Sequence, residues 1–170
     1  AAFAKAAGVA REQRKPIVAL KTGRSPQGAR ITMSHTASLA GADGLCDALF
    51  ERYGIARVPT LTSLVEALKL LHFGGPLPGR QLLSLSCSGG EAALVADLAS
   101  GRGLSFPPFP EVVARRLATT LDDLVSIDIP LDYHTFIWGR REQRENTFAV
   151  ALEGRFDAAI LILDTPTHPA

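Results

Sequence analysis

The sequence predicts an α/β protein of two lobes, each built around parallel strands, with the fold incomplete at both termini. Three observations carry that expectation. The first half reads strand, loop, helix, strand, helix, the rhythm of a parallel sheet covered by helices. Residues 74–79 then bring together three Gly and two Pro with the neighbouring Phe73, which neither a helix nor a central strand tolerates. A second strand, Gly turn and helix start follows at once. The expected organisation is therefore a first lobe at residues 1–73, a linker at 74–79 and a second lobe at 80–170.

The elements follow in order. Residues 1–10 are small and apolar and run into Arg11-Glu12-Gln13-Arg14-Lys15, which fits the basic last turns of a helix. Pro16-Ile17-Val18-Ala19-Leu20-Lys21 reads as a short strand buried on both faces. Residues 22–33, with Gly23, Pro26 and Gly28, read as loop. Leu45, Leu49 and Tyr53 with Ala48 and Phe50 have helical spacing, and Gly54 is a C-terminal stop. A short strand at 55–58 precedes a helix in which Leu61, Leu64, Val65, Leu68 and Leu71 make an apolar stripe.

In the second half, residues 81–87 form a strand that turns at Ser88-Gly89-Gly90 into a helix beginning near Glu91. The Pro-rich stretch 104–110 allows at most a short edge strand. Residues 111–121 are an amphipathic helix, and 126–133 are extended and polar enough for a surface or cleft. His134 and Trp138 read as packing at a domain edge. Gly139-Arg140-Arg141 opens a last helix to Arg155, and 156–164 read as a strong buried strand.

Composition excludes several classes. A chain of 170 residues with 46% hydrophobic, 6% aromatic and 21% charged residues is globular and aliphatic, long enough for one domain or two small lobes. A formal charge of +1 without a Lys/Arg run argues against nucleic acid as a partner. No apolar run approaches the ~18 residues that span a bilayer, and the Ala-rich start lacks the apolar centre of a signal peptide. The expectation is a cytoplasmic protein with no membrane association. Cys46 and Cys87 show no C-x-x-C spacing, and His35, His72, His134 and His168 offer no i, i+4 pair, so no metal site is expected.

The chemistry concentrates in Ser34-His35-Thr36-Ala37-Ser38-Leu39-Ala40-Gly41, read as a polar loop before a helix. From Lys15 through Ala42 the chain holds Lys21, Arg24 and Arg30 and no Asp or Glu, a positive field that favours phosphate. A neutral imidazole attacks phosphorus through one ring nitrogen when the other is held by an acceptor. Ser34, Thr36 and Ser38 offer hydroxyls and, at a helix start, N–H groups to phosphoryl oxygens. Helix capping with a solvated histidine is the alternative that composition leaves open. Ser88-Gly89-Gly90 is a second anion-binding candidate, because N–H groups point out of a Gly turn at a helix N-terminus. Ser88 and Glu91 also match a capping box, which would use up those donors.

The runs Lys15-Pro16-Ile17-Val18-Ala19-Leu20-Lys21-Thr22-Gly23-Arg24-Ser25 and Ser34-His35-Thr36-Ala37-Ser38-Leu39-Ala40-Gly41 resemble the nucleoside-diphosphate-forming acyl-CoA synthetases, relatives of succinyl-CoA synthetase. Ser86-Cys87-Ser88-Gly89-Gly90 and Ile129-Pro130-Leu131-Asp132 resemble the motifs that follow in that family. Ala37 stands where many relatives have Gly, and Ile129 where many have Asn. The resemblance implies two flavodoxin-like ligase lobes, the first domain's C-terminal part at 1–73 and the second's N-terminal part at 80–170. It implies a phosphohistidine at His35, with Ser34, Thr36, Ser88, Gly89 and Gly90 as phosphate contacts, and helix N-termini from both domains flanking it.

The same resemblance implies CoA, ATP or ADP with Mg2+, phosphate and a small acyl substrate for the whole enzyme, bound mainly outside these residues. CoA-binding and ATP-grasp domains, in the same chain or a partner subunit, and an oligomer belong to that expectation. This stretch alone is expected to be inactive. A non-catalytic module that senses CoA or nucleotide with the same fold is the alternative, and a purely structural interaction domain a third.

Overall fold

The computed structural model describes residues 2–36 and 42–164, with the side chains of all of these except 34–36. The chain divides into two compact units, Ala1–Pro76 and Leu77–Ala170.

The first unit runs α1 (Ala2–Glu12), β1 (Val18–Ala19), α2 (Pro26–Thr36), α3 (Asp43–Tyr53), β2 (Ala56–Arg57) and α4 (Leu61–Phe73). The two strands pair in parallel, Val18 opposite Ala56 and Ala19 opposite Arg57. Gly54 stops α3 in the left-handed region at φ 66°, where its N–H reaches the Glu51 and Phe50 carbonyls. Thr60 caps α4, its hydroxyl accepting from Ser63 N.

Several expectations change here. Residues 26–36 are helix rather than loop. Ser25 Oγ accepts from Gly28 N at 3.0 Å and caps the helix, and Pro26 occupies its first position, where the missing N–H costs nothing. The punctuation in the sequence marks a helix start. β1 is half-buried rather than buried on both faces. The α4 stripe is not a core face either: Leu61 is 70% exposed, and Val65 and Leu68 are exposed with it. Among the described residues α4 packs only on β1, and Ala7 and Ile55 alone are buried in this unit.

The second unit runs β3 (Leu82–Ser86), α5 (Gly89–Ala99), α6 (Glu111–Thr120), β4 (Leu131–Asp132), a 3₁₀ turn (Thr135–Ile137), α7 (Arg141–Ala151) and β5 (Ala158–Leu161). The sheet order is β4-β3-β5, all parallel. Buried at every position, β3 is the central strand. Its alternation sorts the two faces: Leu83, Leu85 and Cys87 join a core with Val113, Leu117, Leu131, Tyr133 and Val150. Ser84 and Ser86 point the other way, also buried. The stretch 104–110 pairs with the sheet only through a parallel bridge of Ser105 to Gln81, and its Phe109 joins the core.

Two expectations for this unit are corrected. Residues 126–133 lie at the surface only in part: Ser126 and Asp128 are exposed, but Leu131 and Tyr133 are fully buried, and Tyr133 stands edge-on to Phe148 with ring centroids 5.1 Å apart. The last helix ends at Ala151, and the strand after it is not buried. Ile160, Leu161 and Leu163 are exposed, because β5 lies at the sheet edge and among the described residues packs only on β3. No described helix is long and apolar enough to cross a membrane.

Candidate functional site

His35 falls in the last turn of α2, with Ser34 and Thr36 beside it. The segment is therefore a helix end and not a loop, and the N–H groups of these three residues do not open a helix. Their side chains, and all of residues 37–41 including Ser38, lie outside the described residues, as does His168. The next helix start is that of α3, whose N-cap Ala42 carries no side-chain cap.

Asp43 opens α3 and gathers the cations that the sequence places before it. Arg57 Nη2 meets Asp43 Oδ1 at 2.6 Å and Nη1 meets Oδ2 at 3.1 Å. Lys21 Nζ lies 3.6 Å from Oδ1 and Arg24 Nε 3.4 Å from Oδ2. Hydrogen bonding to Arg57 is the main force holding the Asp43 carboxyl below the usual range, and it raises Arg57 in turn. Arg57 Nη1 also donates to Asp47 at 2.5 Å. The positive field expected ahead of α3 is thus not one-signed: Lys21 and Arg24 are paired with Asp43. Three cations against two carboxylates leave one positive charge in excess at the carboxyl ends of β1 and β2.

The Ser88-Gly89-Gly90 turn lies at the carboxyl end of β3. Ser88 is the N-cap of α5 in extended geometry, φ −139° and ψ 129°, and makes no side-chain cap bond. The capping box does not form. The first backbone bond of the helix is Ala92 N to Ser88 O at 3.0 Å, so the N–H groups of Gly89, Gly90 and Glu91 have no acceptor among the described residues. Gly89 and Gly90 are exposed, which leaves those donors open to an anion. A Cβ on Gly90 would meet Ser88 Oγ at an ordinary 3.5 Å, so the glycine there spares room above the turn.

Sequence reasoning missed two neighbours of this turn. The Asp132 carboxylate lies 3.4 Å from where a Cβ on Gly89 would sit. Asp132 Oδ1 accepts from His134 N at 2.9 Å, and Oδ2 lies 3.7 Å from His134 Nε2. His134 adopts φ 58°, ψ 163°, a region that favours glycine, and stacks on Phe136. The Pro130-Leu131-Asp132 motif was the available signal for Asp132, and His134, read from the sequence as packing at a domain edge, follows two residues after it. On the other side, one ligand atom each from Cys87, Glu91 and Asp164 lie within 4.8 Å of one another. The first unit also holds a cavity of about 610 Å³ lined by Arg11, Arg14, Lys15, Arg52 and Tyr53, among others.

The first unit's parallel pair with its helices, and the second unit's central buried strand with a Gly turn at its carboxyl end, define the class of open parallel α/β proteins. Residues 1–71 match the family model of the succinyl-CoA ligase like flavodoxin domain. An ADP-forming acetate–CoA ligase of Methanocaldococcus jannaschii is 32% identical over 120 residues, 71% of this chain and 17% of that protein. The alpha subunit of ADP-forming acetate–CoA ligase II of Pyrococcus furiosus is 31% identical over 121 residues, 71% of this chain and 26% of that subunit. The chain thus spans about a sixth to a quarter of these relatives. In fold it superposes with TM-score 0.79 on Ca. Korarchaeum cryptofilum dinucleotide forming acetyl-coenzyme A synthetase 1, solved in complex with phosphate and ADP, at 24% identity over 94% of this chain and 33% of that one. The chain belongs to the nucleoside-diphosphate-forming acyl-CoA synthetase family.

Proposed function

We propose that this chain is the phosphohistidine-bearing central part of an acid–thiol ligase that interconverts acyl-CoA, phosphate and nucleoside diphosphate with organic acid, CoA and nucleoside triphosphate. The observation that carries the reading is the position of Ser34-His35-Thr36 inside the stretch that matches the succinyl-CoA ligase like flavodoxin domain. In the thioester-consuming direction, phosphate displaces CoA from the acyl carbon and leaves an acyl phosphate. A ring nitrogen of neutral His35 then attacks phosphorus, and the P–O bond to the carboxylate breaks, releasing the organic acid. The β-phosphate oxygen of a nucleoside diphosphate next takes the phosphoryl group and restores the imidazole.

Ser34 and Thr36 are the proposed hydroxyl contacts to the phosphoryl oxygens. Their N–H groups are excluded from that role by the helix that contains them. Ser88, Gly89 and Gly90 form the proposed second phosphate contact, supported by the uncapped start of α5. The division between Pro76 and Leu77 is proposed to separate the two flavodoxin-like ligase domains. Mg2+, the CoA-binding and ATP-grasp domains and an oligomeric, cytoplasmic enzyme complete the proposal. The acyl substrate in this proposal is a small organic acid.

The deciding experiment uses the intact protein that contains this chain. Incubation with ATP labelled at the γ-phosphate and Mg2+ should leave acid-labile, base-stable phosphate on the peptide holding residues 34–41. His35→Gln should carry no label and should lose net thioester turnover. Normal turnover in His35→Ala, or an acid-stable label, overturns the carrier role. A wild type that binds nucleotide yet never becomes labelled is the outcome that favours a sensing module instead.

A further inference from the structure

We propose that Cys87, Glu91 and Asp164 form a binding site for a divalent transition-metal cation of the Zn2+ type. The fold brings them together from three elements. Cys87 follows β3, Glu91 lies in the first turn of α5, and Asp164 follows β5. Parallel pairing of Leu85 with Leu161 makes β3 and β5 leave the sheet side by side, and α5 begins directly after β3. The result is a thiol and two carboxylates whose ligand atoms lie within 4.8 Å of one another.

An independent observation points to a cation at this place. Glu91 Oε2 is buried and has no hydrogen-bond partner among the described residues. Neither Glu91 nor Asp164 is in an ion pair with any described Lys, Arg or His. A buried carboxylate oxygen without a donor is unfavourable, and a second carboxylate beside it adds repulsion. The dipole of α5 offsets only part of this, since it acts as about half a positive charge. A divalent cation satisfies both carboxylates and the thiolate together.

The donor set selects the ion. Mg2+ and Ca2+ take oxygen ligands almost exclusively, whereas a thiolate favours the softer first-row transition metals. Three protein ligands and one open position match a four-coordinate Zn2+, with metal–sulfur near ~2.3 Å and metal–oxygen near ~2.0–2.2 Å, so that ligand atoms would stand about 3.3–3.8 Å apart. Turning the exposed Asp164 side chain inward closes the remaining gap. Cys87 is 6% exposed and Asp164 exposed, so the open position faces solvent past Asp164. On binding, the Cys87 thiol gives its proton to solvent. Local spacing could not reveal the site, because Asp164 is far from Cys87 and Glu91 in the chain. The site uses the side chains of these three residues and stands whether or not the backbone N–H groups of the 88–90 turn and Glu91 take phosphate.

The test is a Co2+ titration of the intact protein after chelator treatment, with Zn2+ as competitor. A sulfur-to-cobalt charge-transfer band in the near ultraviolet should grow to saturation and vanish on addition of Zn2+. Cys87→Ser should abolish the band. Glu91→Gln and Asp164→Asn should each weaken Co2+ binding by at least about tenfold, the scale on which altered metal surroundings act. Asp164→Asn sits at an exposed position and keeps the test sound if Glu91→Gln fails to fold; circular dichroism reads that directly. Absence of the band, a band unchanged in Cys87→Ser, or unchanged affinity in Asp164→Asn overturns the site. Thioester turnover is not part of the readout, so this result is distinct from that of the labelling experiment.

Discussion

Arg57 closes on Asp43 with both prongs of its guanidinium, 2.6 Å from Nη2 to Oδ1 and 3.1 Å from Nη1 to Oδ2. Arg57 ends β2 and Asp43 begins α3, so the pair ties the sheet to the helix that follows the proposed phosphohistidine segment. Arg57 Nη2 also reaches the Lys21 carbonyl at 3.5 Å, just beyond β1.

Asp43→Asn should loosen this junction and lower the thermal midpoint at neutral pH. The sign of the pH dependence follows from the depressed carboxyl of Asp43. A depressed acid contributes stability that is present above its ordinary value near 3.8 and is lost as pH falls through the lower folded value. The gap in thermal midpoint between wild type and variant should therefore close below about pH 4. A gap that stays constant from pH 7 to 3 would show that the charge of Asp43 contributes nothing to stability.

Gly90→Val tests the 88–90 turn. A Cβ there meets only Ser88 Oγ at 3.5 Å, so the second unit should fold with its thermal midpoint nearly unchanged. The added methyl groups should cover the open N–H groups and block phosphate. Phosphate raising the midpoint of wild type and variant equally would mean that the turn is not a phosphate site.

Gly79→Ala addresses packing alone. A Cβ at Gly79 would collide with the Asp157 carboxylate, whose Oδ2 accepts from Gln81 N at 2.7 Å while Asp157 N donates to Gln81 O at 2.7 Å. These bonds join the starts of β3 and β5. Displacing them should cost about 1–3 kcal/mol in denaturant unfolding, the usual price of overpacking. A loss of less than about 0.5 kcal/mol would mean that Asp157 swings away freely.

Tyr133 predicts an alkaline limit to stability. Burial first, and the neighbouring Cys87 second, push its hydroxyl from 10.0 up to about 12. A raised acid keeps its proton in the folded chain while the unfolded chain loses it, so stability is full below pH 10 and falls as pH rises toward 12. The loss should reach about 2–3 kcal/mol. Tyr133→Phe should flatten this limb, and an unchanged limb in that variant would assign it to other groups.

Ser34→Ala keeps the proposed nucleophile and removes one proposed hydroxyl contact. Phosphoryl transfer to His35 should slow by ~10-fold to 1,000-fold, the range for one lost donor. A loss as complete as that of His35→Ala would mean that the shape of this helix end matters more than the imidazole.

The elements that were legible were those whose signal is local. Thr60 and Gly54 bound their helices by hydrogen bonds within a few residues, and β3 shows its burial in a run without charge. Where the reading failed, neighbours decided. Pro26 is the same residue in a loop or at a helix start, and only the bond from Gly28 N to Ser25 Oγ distinguishes them. β5 is as apolar as a central strand, yet among the described residues its strand partner lies on one side only.

By itself the sequence determined the parallel α/β class, the Gly and Pro break around residues 74–79, and the two segments of interest at His35 and Ser88-Gly89-Gly90. Each rests on covalent and short-range constraints: residue volume, backbone freedom and hydrogen-bond capacity within one turn. Tertiary structure alone decided that Lys21 and Arg24 are paired with Asp43, that the start of α5 is uncapped, and that Asp164 stands beside Cys87 and Glu91. The physical reason is that charge and coordination act through space over a few ångströms, and only strand register brings residues distant in the chain to that range.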